Sequence, residues 1–180
     1  MNKSVYDAPD QFSETKRHIL TVLVDNEPGV LARVIGMFSG RGYNIDSLNV
    51  AEVSNDENLS RITIVTHGTS EVVNQIEKQL LRIVPVHTVT NLDEEGSSVE
   101  AEVALVYIYV SDSNKKKIYQ LCDFYRARKI ENENNTTIFE IAGASDRVNR
   151  FIKEINEITK VEIVRSGPVA ISSIEKNEEE

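Results

Sequence analysis

Residues 18–24 read His-Ile-Leu-Thr-Val-Leu-Val, residues 25–29 Asp-Asn-Glu-Pro-Gly, and residues 30–38 Val-Leu-Ala-Arg-Val-Ile-Gly-Met-Phe. The first run is aliphatic and β-branched, which suits a strand, and it ends in a cluster of turn formers. From Val30 the apolar period changes: Val30, Leu31, Val34, Ile35 and Phe38 recur three and four apart, which is one face of a helix. Gly40 or Gly42 supplies the stop. Working outward, Tyr43 to Val53 predicts a second strand in which Ile45, Leu48 and Val50 break alternation once, placing a bulge near Asp46-Ser47. A polar loop over 54–58 then turns the chain back into a strand from Arg61 to Thr66, which alternates faces through Ile62 and Ile64. Thr69 or Ser70 caps a helix carrying Val73, Ile76, Leu80 and Ile83 on one side, with Glu71 in its first turn where the dipole favours a negative charge. Pro85 ends that helix, and Val86 to Leu92 is a fourth strand.

The rest of the chain repeats the order strand, helix, strand, strand, helix, strand. After a charged, small-residue linker over 93–98, Val99 to Val110 is a long strand, and Ser113 opens a helix with Ile118, Leu121, Cys122 and Tyr125 on one face. Arg128 to Glu131 and Thr136 to Ala142 form a hairpin around residues 132–135. Ser145 caps a helix whose Val148, Phe151, Ile152 and Ile155 share a face, and Val161 to Arg165 closes the unit. Each half is βαββαβ. With right-handed crossovers this is α+β: two tandem ferredoxin-like layers, each an antiparallel sheet with helices on one face. The expected division is a flexible extension over 1–16, domains over 17–92 and 99–168 joined by 93–98, and an acidic tail over 169–180.

Composition narrows the function. Among 180 residues, 20 Lys and Arg face 29 Asp and Glu for a formal charge of −9, and 40% of the chain is hydrophobic. The core is affordable in two small units, but the acidic balance lacks the basic stripe that nucleic-acid backbones demand. The third strand also lacks the aromatic pair that stacks bases in RNA-binding sheets of this type. No apolar run is long enough to span a bilayer and Met1 to Thr15 has no signal-peptide core, so a cytoplasmic protein without membrane partners is expected. Cys122 is the single cysteine, which excludes an internal disulfide and a multi-cysteine zinc site; its helical spacing reads as a small core residue. His18, His67 and His87 are scattered at strand ends, so no metal site is expected. There is no nucleophile elbow, no phosphate-binding P-loop and no recognisable acid–base pair, and no catalytic residue is assigned.

The loop over 25–29 is the informative feature. A helix start leaves backbone N–H groups free and carries partial positive charge, and Gly29 lets a carboxylate approach that backbone. Asn44, in Gly42-Tyr43-Asn44-Ile45, offers both an amide donor and a carbonyl acceptor. Together they complement the two charged ends of an amino acid. The same residues also suit a plain strand-to-helix turn, with Asn44 satisfying loop backbone.

Residues 25–50, from Asp25 to Val50, followed by Leu-Ser-Arg-Ile-Thr-Ile over 59–64, resemble the ACT domain of the acetolactate synthase (acetohydroxyacid synthase) small, regulatory subunits. The likeness continues through 75–80 and at Val164-Arg165-Ser166-Gly167, and covers about residues 18 to 173. It implies that 17–92 is an ACT domain that binds an amino-acid effector, and that the chain has no active site of its own. It further implies activation of a thiamine-diphosphate-dependent catalytic large subunit, a transferase, and feedback inhibition by valine in branched-chain amino-acid biosynthesis. Thiamine diphosphate, magnesium and FAD are expected in that partner, and no cofactor in this chain. The resemblance also implies a homodimer whose ACT domains pair side by side, with valine between the loop of one subunit and the strand start of the other. Carried over, Asn26, Gly29 and Val30 are the loop positions and Asn44 and Ile45 the strand positions. Pro28 stands where some relatives have a small polar residue, and leaves the Gly29 N–H free. A free-standing ACT-domain amino-acid sensor without a synthase partner is the alternative.

Overall fold

A computed structural model describes residues 14–54, 56–93, 98–133 and 135–173. The first half runs β1 (Lys16–Asp25), α1 (Val30–Gly40), β2 (Ser47–Ser54), β3 (Leu59–Gly68), α2 (Ser70–Leu80) and β4 (Val86–Asn91). Alternation in β1 sends Leu20, Val22 and Val24 to one face, where they are buried with Ile62 and Ile64 of β3. The apolar stripes of α1 (Val30, Val34, Phe38) and α2 (Val73, Ile76, Leu80) close over that face. The sheet order is β2-β3-β1-β4 and every pairing is antiparallel, so β1 is central and β2 is an edge.

The second half repeats this plan with β5 (Ser98–Tyr109), α3 (Lys115–Phe124), β6 (Arg128–Glu133), β7 (Thr136–Gly143), α4 (Ser145–Ile158) and β8 (Val161–Arg165), in sheet order β6-β7-β5-β8. Ala104, Val106 and Ile108 of β5 meet Ile118 and Cys122 of α3 and Val148, Phe151 and Ile155 of α4 in a second core. Both halves are therefore the expected βαββαβ, two ferredoxin-like layers in tandem. The opposite face of β5 leaves Val103, Leu105 and Tyr109 exposed.

A ninth strand, β9 (Val169–Ser172), corrects the reading of 169–180 as tail. It pairs antiparallel with Ser98–Ala101, the first residues of β5, while β7 and β8 pair further along the same strand. Its Ala170 is buried with Ile19, Val65 and Leu92, on the face of the first sheet that the helices leave free. Four residues with alternating Val169 and Ile171 gave too short a pattern to separate from loop, and the strand exists because β5 extends four residues beyond the stretch that pairs with β7 and β8. Arg17 Nη2 donates to Glu100 Oε2 at 2.6 Å across the same junction.

Local boundaries also shift. The second strand begins at Ser47 rather than Tyr43, and pairing is regular from Ser47↔Val65, with the register irregularity at Glu52/Ser54 instead of Asp46-Ser47. Residues 43–46 are held by other means: the Tyr43 N–H donates to Phe38 O at 3.0 Å, its ring meets Phe38 edge-on, and Asp46 N donates to Val65 O at 2.8 Å. Helix α4 has Ala144 at its N-cap position and Ser145 inside, so Ser145 does not cap it. Helix α3 starts at Lys115, two residues after Ser113, because Asn114 Oδ1 accepts from Ser111 N (2.7 Å) and keeps that stretch in a turn. For α2 the choice resolves to Thr69, whose hydroxyl accepts from Val72 N. Lys16 and Ser98 already belong to strands, and of the expected extension, linker and tail, residues 1–13, 94–97 and 174–180 lie outside the described residues.

Candidate functional site

The β1–α1 loop is braced from three sides. Asn26 N donates to Asn58 O at 2.7 Å and Asn58 Nδ2 donates back to Asn26 O at 3.3 Å, which ties the loop to the β2–β3 turn. Asp25 Oδ1 meets His87 Nε2 at 2.6 Å, and Asp25 N donates to Pro85 O. Arg33 Nη1 donates to Glu27 Oε1 and to Val84 O, each at 2.8 Å, so the one acidic side chain between Asn26 and the helix is turned to a guanidinium.

Gly29 stands at the N-cap position of α1 with φ 90°, a left-handed conformation that suits glycine. No side chain caps this helix start and its first turn has no acidic residue. A Cβ built on Gly29 meets nothing within 4 Å, so the backbone here is open to an incoming group. A cleft of about 490 Å³ opens at this point, lined by Asn26, Gly29, Val30, Leu31, Ile35, Val50 and Ser60 among others. It offers uncapped amide hydrogens at one end and aliphatic walls beside them, the combination that holds a small molecule with an acid group and an apolar tail.

Asn26, Gly29 and Val30 are thus brought together, whereas Asn44 and Ile45 do not line this cleft. Asn44 is exposed; its Nδ2 donates to Asp46 Oδ1 (2.7 Å) and its carbonyl accepts from Thr66 Oγ1 (2.7 Å), while Asp46 Oδ2 pairs with His67 Nδ1 at 2.5 Å. Ile45 is half-buried against the first core. Within one chain the two halves of the predicted site lie at opposite ends of β2: Asn44 and Ile45 precede Ser47, and the cleft sits beside Val50 and Ser60, the latter opposite Glu52.

The histidines each sit beside one aspartate, His18 with Asp93, His67 with Asp46 and His87 with Asp25, and among the described residues no group of three or more potential ligands is placed to hold a metal ion. Cys122 is 1% exposed, and burial, aided by the charge of Asp123, pushes its thiol up to about 12; it is a core residue with little thiolate. No helix among the described residues is long and apolar enough to cross a membrane.

One element of the site escaped the sequence. Ser166, Gly167 and Pro168, after β8, pack on the start of β2: Asn49 Nδ2 donates to Pro168 O at 3.0 Å, and Gly167, at φ 72°, lies directly against Ser47. Nothing local to this segment indicated a contact with Ser47, 120 residues earlier in the sequence.

The tandem ferredoxin-like fold and a match of its first half to an ACT-domain family together define an ACT-domain protein with a second ferredoxin-like domain. The AHAS small subunit-like ACT domain matches residues 20–88, and the family described as small subunit of acetolactate synthase matches residues 101–174. The acetolactate synthase small subunit of Haemophilus influenzae is 40% identical over 162 residues, covering 89% of this chain and 98% of that protein. The acetolactate synthase isozyme 3 small subunit of Escherichia coli is 42% identical over 161 residues, with the same coverage of 89% and 98%. The crystal structure of the acetolactate synthase small subunit from Thermotoga maritima superposes with a TM-score of 0.79 at 36% identity, covering 88% of this chain and 98% of that one. This chain belongs to the acetolactate synthase small-subunit family.

Proposed function

We propose that this chain is the regulatory subunit of a thiamine-diphosphate-dependent acetolactate synthase, in the cytoplasm, and that it binds valine at a seam between two copies of its first domain. The observation that carries the reading is the uncapped, acid-free start of α1 at Gly29, opening into an aliphatic cleft beside an edge strand. Antiparallel pairing of two β2 edges would set the start of one strand next to the end of the other. That arrangement carries Asn44 of one protomer toward the cleft of its partner, and so reunites the halves that a single chain keeps apart. The α1 amides then take the carboxylate, Asn44 the polar end, and Val30, Ile35 and Val50 the isopropyl group.

A ligand shifts a conformational equilibrium only by its difference in affinity between the two states. A clamp across β2 acts on the segment that also touches Gly167 and Pro168, which is a route from the seam to the second domain. The chemistry, with thiamine diphosphate, magnesium and FAD, belongs to the catalytic large subunit, and this chain supplies no catalytic group. Selectivity among valine, leucine and isoleucine is shallow, since one methylene in an apolar pocket is worth about 1–3 kcal/mol.

Reconstitution with a catalytic large subunit tests this. Activity is expected to rise on addition of this chain and to fall again with valine. A chain that binds valine but never associates with or activates a large subunit is a free-standing sensor, and the proposal fails.

A further inference from the structure

A second cleft, of about 380 Å³, lies between the domains, within the roughly 300–1,000 Å³ typical of small-molecule sites. None of Asn26, Gly29 or Val30 lines it. The start of α4 and Glu102 of β5 meet it from the second domain, and Arg17 and Asp46 from the first. Two polar atoms in its lining are buried without a partner. Ser145, 9% exposed and at the first position of the 14-residue α4, has no partner for its hydroxyl. Glu102, 3% exposed, accepts from Arg165 through Oε1 while Oε2 has no donor. Buried polar atoms are nearly always paired, so two orphans on one cleft mark a place where a ligand supplies what the chain does not.

Their chemistry specifies the ligand. A carboxylate oxygen accepts only, so Glu102 Oε2 calls for a donor. The hydroxyl of Ser145, at a helix start that no side chain caps, donates to an acceptor and stands where the dipole favours negative charge. The charged side chains around the cleft balance, Arg17 and Arg165 against Asp46 and Glu102. A bare anion meets two carboxylates there and a bare cation two guanidinium groups. We propose that this cleft binds a small zwitterion of the α-amino-acid type, its ammonium on Glu102 and its carboxylate on Ser145 and the start of α4. Because the walls come from both domains, an occupant favours one arrangement of the two, separately from any ligand held at α1.

The test is an amide-resonance titration of the full chain, up to about 10 mM ligand, a range that detects millimolar affinity. The probes are glycine, alanine, serine, valine, leucine and glutamate, with acetate and inorganic phosphate as anion-only arms and ethylamine as the cation-only arm. At least one amino acid is expected to move the Ser145 and Gly167 amides saturably, and the single-charge probes are not. Glu102→Gln and Ser145→Ala are each expected to weaken that binding about tenfold, the size of one buried hydrogen bond to a charge. The proposal is overturned if no amino acid gives saturable shifts at these amides, if phosphate, acetate or ethylamine saturates them as well as any amino acid, or if Ser145→Ala and Glu102→Gln, both folded by their spectra, bind as the parent does.

Discussion

Gly167→Ala measures how tightly the second domain grips the start of β2. Gly167 has φ 72°, and holding alanine in the left-handed region costs about 1–2 kcal/mol. Its new Cβ would overlap Ser47 Oγ and stand 3.2 Å from both Ser47 Cβ and Asn49 Nδ2. Relieving such overpacking costs a further ~1–3 kcal/mol, so the variant should lose about 2–5 kcal/mol in all. Ser47→Ala deletes the overlapping oxygen and does nothing for the φ angle. The two parts are therefore separable: the double variant should recover the packing share and retain the conformational one. Equilibrium unfolding in denaturant, run on all four proteins of the cycle, is expected to give a coupling of about 1–3 kcal/mol between the positions, well above the ~0.5 kcal/mol at which distant sites already add. Because Ser47 follows directly on Asn44–Asp46, Gly167→Ala is also expected to weaken valine inhibition, with partial return in the double variant. A coupling indistinguishable from zero would refute the contact as drawn.

Gly29→Val and Asn44→Ala are each expected to abolish valine inhibition of the reconstituted synthase while leaving activation of the large subunit in place; a Cβ at Gly29 meets no neighbour, but holding it at φ 90° costs about 1–2 kcal/mol, so the unfolding midpoint of Gly29→Val is expected to fall modestly, and inhibition that survives both changes places the effector elsewhere. Cys122 should react with a thiol reagent at neutral pH far more slowly in the folded chain than in denaturant, and equal rates would contradict its burial. Since folding raises its thiol from an ordinary value near 9 to about 12, the unfolded chain releases that proton first, so the stability this group contributes is intact below pH 9 and declines as pH rises from there toward 12; Cys122→Ala should flatten that decline in alkaline melts. Phe151→Ala, which empties a fully buried position in the second core, should cost about 3–5 kcal/mol, read as a lowered unfolding midpoint.

Sequence by itself determined the two βαββαβ halves, because each helix and strand carries its own apolar period and the turn formers fall between them. The helix stripe containing Val30, Val34 and Phe38 was legible from its spacing and is buried, whereas that Leu20, Val22 and Val24 of the strand before it form the facing wall was shown by the fold. Gly29 was legible too, since a strand ending in Asp-Asn-Glu-Pro-Gly before a helix has few other ways to turn. The start of β2 was misplaced because side-chain and backbone bonds at Asn44 and Asp46, rather than a ladder, hold residues 43–46. Ser145 looked like a cap since its residue type suits one, but the position before it took that place and its hydroxyl was left in the cleft between domains. Only tertiary structure decided that β9 exists, that Gly167 lies on Ser47, and that Glu102 and Ser145 share one hollow. Those features depend on contacts between segments far apart in the chain, and periodicity, which records only which side of an element faces inward, carries no information about what it will meet there.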